Sequence, residues 1–164
     1  MINIRDFEEN DFEFLLEMLY ESIHIPHNKA TKEKLLNLPH IKKYYEGWGR
    51  EGDKALIAIN KDNQKVGAVW YRLFDEYNKG YGYVDNNTPE LGIAISKDAR
   101  GMGLGTLLMN QIIQIAIEEE YKSISLSVDP DNSDAVHIYK KIGFKQCGMC
   151  GTSITMVYKV LKQG

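Results

Sequence analysis

Gly101, Gly103 and Gly105 alternate through the stretch RGMGLGT, and apolar residues at helical spacing begin at Leu104. Glycine strips side chains from the backbone just where a helix presents unpaired N–H groups. Phosphate oxygens can then approach the amides of Gly101, Met102, Gly103, Leu104, Gly105 and Thr106, and the positive end of the helix dipole adds attraction without a lysine. The chemistry predicted is therefore the binding of a phosphorylated ligand. A P-loop requires lysine and then Ser or Thr after its last glycine, whereas Gly105 is followed by Thr106 and Leu107. A dinucleotide fingerprint would place glycine where Thr106 stands and an acidic residue at the end of a second strand. Glu118, Glu119 and Glu120 fall at a helix tail instead.

A second constellation, NSDAVHIYKKIGF, runs from Asn132 to Phe144. Asn132 or Ser133 opens a helix with Ala135, Val136, Ile138, Tyr139 and Ile142 on its apolar face, and Gly143 stops it. Arg100, Gly103 and Gly105 form Arg-x-x-Gly-x-Gly, which resembles the acetyl-coenzyme A signature of the GCN5-related N-acetyltransferases. Asn132, Ala135, Ile138, Tyr139, Gly143 and Phe144 resemble the second signature of that family, with Ile138 in place of leucine. The resemblance covers residues 90 to 146, and the two motifs stand in the family's order.

Acyl transfer to an amine makes three demands. The ammonium must lose a proton, the tetrahedral oxyanion needs aimed donors, and the departing thiolate benefits from a proton. The resemblance implies Tyr139 as general acid, a phenol that stays protonated at neutral pH. It further implies that main-chain groups of Ile93, Ala94 and Ile95 meet the pantetheine arm as an added strand would. Arg100 and residues 101–106 would hold the diphosphate, and Asn132 would touch the arm. Family members that modify protein N-termini carry a glutamate five residues before the motif asparagine, where this chain has Ser127. Glu90 is the carboxylate left for the base, acting through water, with a solvent-facing strand end as its other reading. The implied function is acetyl transfer from acetyl-coenzyme A to a primary amine of a small molecule, by direct attack in a ternary complex. The alternatives are a protein or peptide N-terminal acetyltransferase and a module that binds acetyl-coenzyme A without turnover.

These residues need a frame. Ile2, Ile4 and Phe7 begin a strand, and residues 8–20 read as a helix with Phe12, Leu15, Leu16 and Leu19 inward. Thr31 caps a second helix with Leu35, Leu36, Leu38 and Ile41 inward, bent or broken near Pro39. Residues 54–60 and 65–74 form a hairpin. Residues 75–89, with Tyr77, Tyr81 and Tyr83, have no clean period and read equally as a substrate lid or a surface excursion. A strand at 90–96 feeds a helix over 104–121. In 123–128, Ile124, Leu126 and Val128 alternate with Ser123, Ser125 and Ser127. Strands over 144–149 and 153–160 complete a single α/β domain across residues 1–164 with six or seven strands. The resemblance adds a mixed, mostly antiparallel sheet, about four helices, and a splay between strands 4 and 5 that admits the cofactor.

Bulk properties narrow the partners. With 164 residues, 43% hydrophobic and 26% charged, the chain can bury a sizeable core. A net charge of -3 argues against a nucleic-acid surface and favours a cationic small substrate. No apolar run spans a bilayer and the N-terminal residues are acidic, so the expected location is cytoplasmic, with no membrane partner, as monomer or homodimer. Cys147 and Cys150 form C-x-x-C, but no second pair completes a zinc ligand set and no helix start activates a thiol, so no metal is expected.

Overall fold

Strand-forming and helix-forming stretches alternate along the chain, and the computed structural model, which describes residues 1–160, orders them around one sheet. The strands are β1 (Asn3–Asp6), β2 (Lys54–Ile59), β3 (Lys65–Arg72), β4 (Glu90–Ile95), β5 (Ser123–Val128), β6 (Lys145–Cys150) and β7 (Ser153–Lys159). The helices are α1 (Phe12–Ser22), α2 (Lys32–Leu36), α3 (Pro39–Lys42), α4 (Leu104–Glu118) and α5 (Ser133–Ile142). Strand order is β1-β2-β3-β4-β5-β7-β6, antiparallel except for β4 beside β5. The β4–β5 ladder is a single parallel pair, Glu90 opposite Ser125, at the start of β4.

Contacts divide the chain into two compact units, and β3 and β4 each run from one into the other. The first comprises Met1–Trp70 and Gly92–Ile112. Its core joins Leu15, Met18 and Leu19 of α1, Leu36 and Ile41 of the second and third helices, and Ile57, Ala68, Trp70 and Ala94 of the strands. The helix expected from residue 8 begins as a one-turn 3-10 helix at Glu9–Asp11, where Asp11 accepts from the Glu8 amide at 2.8 Å. Thr31 does cap α2, accepting from the Lys34 amide at 3.4 Å. Pro39 separates α2 from α3, since proline suits a first helical turn but not an interior. Gly92 lies flat against Trp70, where a Cβ would come within 2.5 Å of the indole.

The second unit comprises Tyr71–Leu91 and the chain from Ile113 on. β5 pairs β7 from Ser123 opposite Lys159 to Val128 opposite Ile154. β6 pairs β7 beyond it, with an irregularity between Gln146 and Gly148, and Cys147 and Cys150 on it are free thiols. Tyr158 of β7 packs on Phe144, ring centroids 5.6 Å apart. α4 ends at Glu118, three residues earlier than expected, and Glu120 takes φ 68 in the turn that follows. No helix among the described residues is long and apolar enough to cross a membrane.

Candidate active site

The glycine-rich turn lies in the first unit. A 3-10 turn at Lys97–Ala99 brings the chain off β4, and Gly101 and Gly103 then adopt φ 79 and φ 78. A Cβ at either would meet nothing within 4 Å, so backbone conformation and not crowding requires glycine there. Gly105 differs: a Cβ would lie 3.3 Å from Ile95 Cδ1, so its small size seats the helix start against β4. The first bond of α4 runs from the Leu107 amide to the Gly103 carbonyl at 3.2 Å. The amides of Leu104, Gly105 and Thr106 therefore have no partner within the helix and emerge at its positive end. Gly101, Met102, Gly103 and Thr106 are exposed, leaving a side-chain-poor set of donors that suits a diphosphate.

Arg100, which precedes the turn, is exposed. Its Nε donates to the Ile95 carbonyl at 3.0 Å, and one terminal nitrogen lies 4.0 Å from Glu21. Within β4, Ala94 is buried while Ile93 and Ile95 are partly exposed.

The second unit holds the remaining predicted residues. Tyr139 stands on α5, its ring centroid 6.1 Å from that of Phe144. The side chain is only partly buried, its hydroxyl makes no hydrogen bond among the described residues, and desolvation pushes the phenol up to about 12. Gly143, at φ 126, ends α5 and returns its amide to the carbonyls of Tyr139 and Lys140 at 3.1 Å. A Cβ there would press on Tyr158 at 3.2 Å. Ile138, expected on the apolar face, is exposed, because Tyr139 and Phe144 occupy the packed side. Asn132 sits at the N-cap of α5 but makes no side-chain cap bond, so its amide group remains available.

Glu90 is buried, which excludes the solvent-facing reading, and its Oε1 accepts from the Gly82 amide at 2.9 Å. Ser125, opposite Glu90, is fully buried, and its hydroxyl has no partner among the described residues. Ser123 and Ser127, which alternate with it, are partly exposed, and Thr88 Oγ1 lies 2.6 Å from Ser123 Oγ. Sequence reasoning missed Gly82 and Ser125; the strict serine alternation was the available signal that this face is distinct.

A family model described as "Acetyltransferase (GNAT) family" matches residues 15–144, spanning both units. Streptothricin acetyltransferase A of Bacillus subtilis is 28% identical over 131 residues, covering 77% of this chain and 68% of that protein. An uncharacterized N-acetyltransferase, ycf52, of Porphyra purpurea is 26% identical over 147 residues, covering 83% and 82%. Among solved structures, the PaiA N-acetyltransferase of Thermoplasma acidophilum in complex with coenzyme A aligns with TM-score 0.68 at 23% identity over 98% of this chain and 99% of that one. The glycine cradle, the Tyr139 helix and this match over most of the chain agree: the protein belongs to the GNAT acetyltransferase family.

Proposed function

We propose that this acetyltransferase moves an acetyl group from acetyl-coenzyme A to a primary amine of a small molecule, by direct attack. The observation that carries the reading is the start of α4, where two positive-φ glycines and the amides of Leu104, Gly105 and Thr106 form an exposed anion cradle. The cradle residues bind the diphosphate, with Arg100 fixing the loop. Bound acetyl-coenzyme A supplies the activated thioester. Main-chain N–H groups of Ile93–Ile95 serve as oxyanion donors, and Asn132 holds the pantetheine arm through its side-chain amide. Tyr139 gives its hydroxyl proton to the departing thiolate, and its raised pKa keeps that proton in place at neutral pH. Glu90 takes the proton from the acceptor ammonium through water.

Two observations favour a small acceptor over a protein N-terminus. Ser127 occupies the place where the resembled N-terminal enzymes carry glutamate. The relative from Bacillus subtilis is named for a small-molecule acceptor. Thiol release from acetyl-coenzyme A, measured across polyamines, aminoglycosides, amino acids and peptides, tests the reading. Turnover with one of the small amines is expected. Turnover confined to peptides would make it an N-terminal enzyme, and cofactor binding without turnover on any amine would make it a sensor.

A further inference from the structure

Residues 75–89 had two open readings, a lid or a surface excursion, and the second unit pins them at separate points. Gly82 lies on β5 so closely that a Cβ would come within 2.7 Å of the Leu126 carbonyl carbon and 2.9 Å of the Ser127 nitrogen. The Gly82 amide, directed away from solvent, donates to Glu90 Oε1 at 2.9 Å. Thr88 Oγ1 lies 2.6 Å from Ser123 Oγ, and the Ser125 amide donates to the Pro89 carbonyl at 2.9 Å. Gly80, Gly82, Thr88 and Pro89 are buried, whereas 75–79 and 84–87 are exposed. A segment anchored by backbone contact in its middle and at its end cannot swing as a lid, because opening would leave a buried carboxylate without that donor.

From this geometry we infer that Glu90 is a positioning residue in addition to the proton acceptor proposed above: its carboxylate clamps Gly82, making residues 80–89 a fixed wall that sets affinity for the acceptor amine. The inference rests on the proposed reading in placing the acceptor at Glu90. Gly82 packs on the β5 backbone at Leu126 and Ser127, next along the strand from Ser125, the register partner of Glu90. A shift of the wall therefore alters what surrounds the carboxylate.

The two tasks of Glu90 separate by substitution. Glutamine keeps an oxygen that can accept from Gly82 but is no base, whereas alanine loses both. Glu90→Gln should lower kcat while its acceptor KM stays within about 2-fold of the parent. Glu90→Ala should lower kcat and raise acceptor KM by roughly 10-fold or more, the scale of one buried hydrogen bond to a charged group. Amide hydrogen exchange at Gly82 reads the clamp without any turnover: protection should persist in Glu90→Gln and be lost in Glu90→Ala. Gly82→Ala, with Glu90 intact, should raise acceptor KM as Glu90→Ala does. Equal KM values and equal Gly82 protection in the two Glu90 variants would overturn the clamp. Absence of turnover on every amine would overturn the proposed transfer instead, and the exchange measurement would still decide the clamp.

Discussion

Arg100 turns back along the chain, and its Nε donates to the carbonyl of Ile95 at 3.0 Å, closing the turn between β4 and α4. The bond ties the motif arginine to the loop it follows. Replacing Arg100 with alanine should weaken coenzyme A binding by about 3- to 10-fold, the value of one partly exposed charge-assisted bond. Calorimetry at two salt concentrations checks the cause. A salt dependence equal to the parent's supports a loop role, and a shallower one would mean that the guanidinium pairs with phosphate directly.

Tyr139→Phe removes one hydroxyl and leaves the ring that packs on Phe144. Turnover should fall by about 10- to 10⁴-fold, the range for loss of a general acid, with coenzyme A affinity unchanged. Unchanged turnover in a steady-state assay would end the catalytic assignment.

Desolvation of its partly buried side chain lifts the Tyr139 phenol from 10.0 to about 12. Between those values the native protein holds a proton that the unfolded chain has released, so the contribution of this group is full below pH 10 and is lost as pH rises toward 12. Urea unfolding of the parent and Tyr139→Phe should show the parent losing ground to the variant across that window. A constant difference between the two would show that the hydroxyl is open to water.

Asp11 is fully buried yet charged, held by Arg5 at 2.7 Å and 3.0 Å, by Lys65 at 2.6 Å and by the Glu8 amide. The Arg5 hydrogen bonds, reinforced by Lys65, keep its carboxyl far below the ordinary carboxylate range. Its stabilisation is present above that range and is lost as acid protonates the folded carboxylate. Asp11→Asn should cost about 2–3 kcal/mol at neutral pH, less than a fully buried pair because Arg5 and Lys65 are partly exposed. The cost should shrink on acidification, as followed by urea melts. A neutral substitution would mean that the two cations find other partners at no cost.

Short-range physics made much of this protein readable. The alternation of Ser123 to Val128 matched β5 residue for residue, because a period of two admits one structure. Pro39 and Gly143 ended helices where predicted, since each acts on its own backbone. Gly101 and Gly103 take the positive φ that glycine permits, and α4 begins at Leu104, where the apolar helical spacing starts. The rest depended on partners distant in the chain. Arg5 lies close to Asp11 in the chain, but the other cation that balances its charge is Lys65, from β3. Serines 123, 125 and 127 marked a face without showing that Thr88 meets Ser123 or that Gly82 packs on the β5 backbone, and Glu90 showed no sign of its bond to Gly82. Residue type and spacing determine what a local stretch of backbone can do. Which donor meets which acceptor is decided by strand order and loop closure, and those come from the packing of the whole chain.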